Sequence, residues 1–172
     1  MLDEFLVNIK RKEKLIIKQI ISGYYTLTDD LINRYGGLKL DFGLISMNEN
    51  INWNIEFIEK YSSILNWSYL STNPALPWSI DFFKKFQKFW DWDNIVFNER
   101  INFSIEFLEN FENKLEWKRV VFLEKVDWSP EIIDRFFYKL DFDVMTKNLN
   151  LEWLEQFVKS KIENITENVS NS

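Results

Sequence analysis

Apolar residues return along this chain every 25 positions, in two aromatic series. The first runs Phe42, Trp67, Trp92, Trp117 and Phe142, and the second Trp53, Trp78, Phe103, Trp128 and Trp153. A fixed period of this size marks a repeat architecture. The stretch 65–79, with Trp67 and Trp78 near its ends, shows the unit most clearly.

Each unit predicts two short helices. The residue before the first aromatic is Asp41, Asn66, Asp91, Glu116 or Asp141, a polar acceptor placed as an N-cap. Three residues after that aromatic comes Ile45, Leu70, Ile95, Val120 or Met145, on the same helical face. The helix is expected to stop near Asn48, Asn73, Asn98 and Asn148, because Asn tolerates left-handed backbone, with Leu123 the exception. A connector carries Ile51, Leu76, Ile101, Val126 and Leu151. The second helix starts at Asn54, Ser79, Ser104, Ser129 or Leu154, and Pro130 follows Ser129 at a favoured first position. Its apolar face holds pairs such as Phe57-Ile58 and Phe82-Phe83, closed by Tyr61, Phe86, Phe111 and Phe136. Lys161 departs from that last series, as fits the end of a stack.

A 25-residue period also fits leucine-rich repeats. Their strand needs apolar residues five before and two after the Asn. Here those places hold Gly43, Ser68, Asp93, Lys118 and Asp143, then Asn50, Ala75, Arg100, Lys125 and Asn150. Nearly all are polar, so the helical reading stands.

Residues 3–22 read as one helix, with Leu2, Phe5, Leu6, Ile9, Ile16, Ile17, Ile20 and Ile21 near helical spacing and Gly23 as its stop. Leu31, Ile32 and Tyr35 match Phe57, Ile58 and Tyr61, so residues 24–38 form a degenerate half-repeat, shifted by Gly36-Gly37. The expected fold is all-α: a short α-solenoid of about five 25-residue helix pairs over 39–163. A capping helix and half-repeat occupy 1–38, and 164–172 form a polar tail. Helices of about 6–10 residues are marginal alone. Burial of aromatic rings, each removing about 150–250 Å² from water, compensates.

Composition narrows the chemistry. The chain has neither cysteine nor histidine, which removes disulfides, Cys or His zinc sites and a Ser-His dyad. Four glycines, Gly23, Gly36, Gly37 and Gly43, cannot assemble a phosphate loop. No catalytic residue and no cofactor is expected. No apolar run reaches the roughly 18 residues of a membrane span, and no secretory signal is visible, so the chain reads as soluble and cytoplasmic, without membrane association. The sequons at Asn66, Asn102, Asn164 and Asn168 are therefore set aside.

Net charge is −6, split as +1 over residues 1–38 and −7 over the rest. The acids Asp41, Asp91, Glu116 and Asp141, with Asp93 and Asp143, recur at the repeat period and would form a negative stripe for a basic protein partner. Otherwise they are only helix caps. Asp91/Asp93 and Asp141/Asp143 stand two apart and do not face each other as metal ligands. Lys10, Arg11, Lys12, Lys14 and Lys18 would touch an anion or an RNA backbone, or would be a solvated helix face.

The unit at 65–81 resembles a tandem repeat of bacterial and large-DNA-virus proteins that reads Trp-x-x-Leu-Ser-x-Asn-x-x-Ile-x-Trp-Ser. The likeness covers residues 39–158, with departures at Phe103 and Phe142. It implies a repeat scaffold and assigns no catalytic residue. The functional expectation is a non-catalytic protein-binding scaffold. Its specific form is a phage or mobile-element inhibitor of a host nucleic-acid enzyme, anti-CRISPR-like in kind. The alternative is an RNA-binding helical repeat that uses the N-terminal basic face.

Overall fold

The computed structural model describes residues 2–35, 39–145 and 151–170. Among them all regular structure is helical. Gly36, Gly37 and Asn148 lie outside the described residues, as do the side chains of Phe142, Leu151, Trp153 and Leu154.

Contacts divide the chain into two units, Met1–Ile101 and Asn102–Ser172. The first holds α1 (Leu2–Tyr24), α2 (Asp29–Tyr35), α3 (Phe42–Met47), α4 (Ile55–Tyr61), α5 (Trp67–Thr72), α6 (Ile80–Phe86) and α7 (Trp92–Ile95). The second holds α8 (Ile105–Phe111), α9 (Trp117–Val120), α10 (Pro130–Phe136), α11 (Phe142–Met145) and α12 (Leu151–Ser170). Helices that begin at the first aromatic alternate with seven-residue helices that begin after the second, as the period predicts.

The core follows the periodic positions. Ile45, Leu70, Ile95, Val120 and Met145 are all fully buried, as are Ile58, Leu108 and Ile133 of the second helices. The connector residues Ile51, Leu76, Ile101 and Val126 are buried too. A further series precedes the N-cap. Leu65, Trp90 and Leu115 are buried five residues before Leu70, Ile95 and Val120, which is the spacing of a hydrophobic staple. The second helices start as predicted: Asn54, Ser79, Ser104 and Ser129 accept the backbone N–H of Phe57, Phe82, Phe107 and Ile132.

Two expectations change. Asn48 and Asn73 end their helices in extended backbone, at φ −75° and −73°, not in the left-handed region. Their value lies in the side chain, which bonds both forward and back along the chain. Each Oδ1 accepts the N–H two residues on, at Asn50, Ala75 and, for Asn98, Arg100. Each Nδ2 reaches carbonyls one unit earlier. Asn48 donates to Ser22 (3.1 Å) and Tyr25 (2.8 Å), Asn73 to Ser46 (3.0 Å) and Asn48 (3.4 Å), and Asn98 to Ser71 (3.0 Å) and Asn73 (3.2 Å). The other change is at the C-terminus. The segment read as a polar tail continues α12 to Ser170. No Gly or Pro stops it, and Thr166 Oγ1 folds back onto the carbonyls of Ile162 and Glu163.

A serine ladder runs beside the asparagines. Ser22, Ser46 and Ser71 accept the backbone N–H of Asp41, Asn66 and Asp91, each at 2.9 Å. Those N–H groups sit just outside the next helix, where no helical partner exists for them. The indoles bond the same framework: Trp53 and Trp78 donate to the carbonyls of Asn48 and Asn73 at 2.9 and 3.0 Å. The polar series ends in the third unit. Val96 and Val121 stand where Ser would, and Leu123 where Asn would. Side-chain links about 26 residues apart also join the second helices, Lys85 to Glu59 in Met1–Ile101 and, in Asn102–Ser172, Arg135 to Glu109, Tyr138 to Glu112, Lys139 to Asn113 and Lys161 to Asp134.

Candidate interaction surface

Helices of four to seven residues carry most of their polar side chains at or near an end. The acids of the repeats are a direct result. Asp41 Oδ1 accepts the N–H of Gly43 and Leu44 at 3.0 and 3.3 Å, and Lys18 Nζ stands 3.9 Å from its other oxygen. A Cβ on Gly43 would lie 3.1 Å from that same Oδ1, so the glycine gives the cap its room. Asp91 is more engaged. It accepts the N–H of Asn94 at 3.2 Å, the Asn94 amide at 2.7 Å and the Ser68 hydroxyl at 2.5 Å.

Asp41 and Asp91 thus serve their own helix starts, and Asn66 stands between them at α5. Asp93 is exposed on α7. In Asn102–Ser172, Glu116 makes no side-chain cap bond and is exposed, and Asp141 and Asp143 are exposed as well. Among the described residues no three carboxylates gather to hold a metal ion.

The basic cluster lies on α1. Lys10, Arg11, Lys12 and Lys14 are exposed and Lys18 is half-buried against Asp41. Among the described residues no helix is long and apolar enough to cross a membrane.

The structure adds an outward series that the period alone did not single out. The residue just before each ladder position is Met47, Thr72, Phe97 or Phe122. All four are exposed, and Phe97 most among the three apolar ones, at 62%. Each follows a buried residue of the core or ladder. Asp93 lies on α7 and Phe97 just past its C-cap Val96, and both are exposed. The sequence signal was present at a register position that changes identity from unit to unit. Leu44 and Met47 also border a depression of about 410 Å³ against Gln19, Gly23 and Tyr24 of α1.

One titratable cluster departs from ordinary behaviour. Tyr61 Oη donates to Asp29 at 3.0 Å, and Lys60 Nζ stands 2.8 Å from the other carboxylate oxygen. The Lys60 hydrogen bond holds the Asp29 carboxyl below its usual range, and Asp29 in turn raises Lys60. Burial, followed by the bond to Asp29, raises Tyr61. These shifts move Lys60 and Tyr61 further from titration near neutrality, the opposite of what a general base needs. The cluster clamps α2 to α4. A second raised tyrosine, Tyr138, owes its shift chiefly to its bond with Glu112.

Chemically, the described surface offers exposed acids, exposed rings and one basic helix. No protein family, curated protein or solved structure matches the chain.

Proposed function

We propose that this protein is a non-catalytic scaffold that binds another protein through the outward positions of its repeats. The observation that carries this reading is Phe97: a ring 62% exposed, at a fixed register position, in the same repeat as the exposed Asp93. Interface anchors are enriched in aromatic rings, and an acid of the same repeat selects a partner with basic surface. Met47 occupies the same register position in the first repeat.

The narrower form is an inhibitor from a phage or mobile element that occupies the basic groove of a nucleic-acid enzyme. It rests on the acids left exposed, Asp93, Glu116, Asp141 and Asp143, rather than on Asp41 and Asp91.

The test is affinity capture with wild type and an Asp93→Lys/Phe97→Ala variant, read by mass spectrometry. Both positions are exposed, so the variant should melt like wild type. A stoichiometric partner that is lost with the variant supports the reading. Equal recovery by both proteins, or no partner, counts against it.

A further inference from the structure

Gly23 leaves a gap in the side of α1. The helix runs through it to Tyr24, its backbone lies outside the left-handed region, and a Cβ added there would meet nothing within 4 Å. The gap opens on the depression of about 410 Å³ between α1 and α3, lined by Gln19, Gly23, Tyr24, Leu44 and Met47. Gly23 follows Ser22 as Met47 follows Ser46, and both serines hold the next N-cap backbone, so α1 stands to α3 as α3 stands to α5. One unit later the protein fills the corresponding place itself. Tyr69 is the counterpart of Leu44, and its ring carbons Cε2 and Cδ2 lie 3.6 and 3.9 Å from where a Cβ of Gly43 would stand on α3. With Leu44 in place of that ring, the α1–α3 groove stays open. The loop at its end is fixed to α1 and the chain after it: Asn50 Nδ2 donates to the Tyr24 carbonyl at 3.2 Å and Asn48 Nδ2 to the Tyr25 carbonyl at 2.8 Å. Glu49 stands exposed between those two asparagines. Two residues of chain place its Cα within about 7 Å of that of Met47.

We propose that this groove seats a long basic side chain of the protein partner, Arg or Lys, with its stem against Leu44 and Met47 over Gly23 and its cationic head at Glu49. The proposal rests on the protein-binding reading and names one contact within it. Charge selects the occupant. Residues 19–28 hold no acid or base other than tyrosine, and residues 42–54 hold a single charge, Glu49. Lys18 stands 3.9 Å from Asp41 and does not line the groove. An RNA phosphate or a lipid headgroup would therefore meet a carboxylate and no cation of the lining. A neutral aliphatic group would fill the gap without using Glu49. Arg and Lys match both features, because they bury an apolar stem and keep the charged head at the water boundary. Tyr24, 75% exposed, also lines the groove, and a tyrosine ring attracts a cation that comes within about 6 Å of it. Met47 is a pliant wall, because its unbranched thioether chain adapts to what it covers.

Titration of the full chain with the blocked peptide Gly-Gly-Arg-Gly-Gly, read at the Met47 methyl resonance, tests it. The control peptides carry citrulline, norleucine or Glu in place of Arg. The Arg peptide should give a saturable shift and bind about threefold more tightly than its citrulline counterpart, as fits a pair at the solvent boundary. Glu49→Gln should erase that difference. Gly23→Leu fills the groove and should weaken the Arg peptide by more than about tenfold without lowering the melting temperature, since Gly is the poorer helix former. Gly23→Ala adds only the Cβ and should weaken it less. No saturable shift with Arg, equal binding of the norleucine or Glu peptide, or binding unchanged in both Gly23 variants overturns the proposal. A dimer dispersed by Glu49→Lys also overturns it and assigns the groove to a second copy. Indifference to every peptide, with a captured partner still lost in Asp93→Lys/Phe97→Ala, overturns this seat and leaves the protein-binding reading standing.

Discussion

Asn98 Nδ2 donates to the backbone carbonyl of Asn73 across 3.2 Å, so one ladder residue holds the main chain of its own counterpart a unit earlier. Both asparagines are buried, and among the described residues no buried side-chain N or O lacks a partner. Removing one rung strands groups on two units at once. Asn73→Ala leaves the Ser46 and Asn48 carbonyls and the Ala75 N–H without their amide partner, and should cost about 2–4 kcal/mol in urea denaturation. Asn73→Asp should not rescue it, because a carboxylate cannot donate to the two carbonyls. Asn113→Ala, at an exposed position, should stay within about 0.5 kcal/mol of wild type.

The serine ladder gives a smaller effect of similar kind. Ser71 Oγ accepts the Asp91 N–H at 2.9 Å and donates to the Trp67 carbonyl at 2.7 Å. Ser71→Val, the chemistry that Val96 already has, should cost about 1–3 kcal/mol because the Asp91 N–H loses its acceptor. Wild-type stability in this variant would show that water replaces the hydroxyl.

The aromatic residues should separate by burial rather than by period. Trp90 is buried and packs edge-on against Trp67, with ring centroids 5.0 Å apart. Trp90→Ala should cost about 3–5 kcal/mol. Trp67 is only half-buried, stacked on Phe89 at 4.7 Å, and its indole donates to the Ser62 carbonyl at 2.9 Å. Trp67→Phe keeps the ring and loses that bond, for about 1 kcal/mol. A larger loss for Trp67→Phe than for Trp90→Ala would invert the assignment of core and rim.

The Asp29 clamp predicts a pH dependence of defined sign. A carboxyl lowered on folding stabilises the fold above its unfolded value and loses that contribution as pH falls through the folded one. Lys60 and Tyr61 are raised, so their contributions are present below their unfolded values and are lost as pH rises through the folded ones. The clamp should therefore act between about pH 4 and pH 10. The difference in melting temperature between wild type and Asp29→Asn should be widest near neutrality and should shrink at both extremes. A constant difference across that range would remove the electrostatic account.

The surface pairs predict little. Lys85 and Glu59 meet at 2.8 Å with both side chains about half exposed. Lys85→Ala should change stability by less than about 1 kcal/mol, with the effect screened by salt.

The fold was legible because the residues that bury themselves also repeat. Ile45, Leu70, Ile95, Val120 and Met145 are aliphatic in every unit, and one spacing places them all. The ladder was half visible. Asn recurs at 48, 73 and 98, but a sequence does not show that an amide will find a carbonyl one unit away, so local backbone preference supplied the wrong reason for it. Trp90 was obscured because the other units place Leu at its position, as in Leu65 and Leu115. The exposure of Ile16, Ile17 and Ile20 on α1 was not legible, because helical periodicity reports an apolar side without reporting what covers it. Phe97 was missed for the opposite reason: its register position holds Met, Thr and Phe in turn, so period gives it no emphasis.

The ladder also makes the chain editable in one size only. Asn73 and Asn98 each reach back 25 and 27 residues and the Ser acceptors serve a backbone N–H 19 or 20 residues ahead, so these rungs find equivalent partners when one whole unit is excised. Removing residues 49–73 would present Asn98 with the carbonyls of Ser46 and Asn48, which are the acceptors that Asn73 uses now. An excision one residue longer or shorter would turn the amide off its carbonyls and break every rung at the joint. Length in this architecture can therefore change in whole units without disturbing the units that remain.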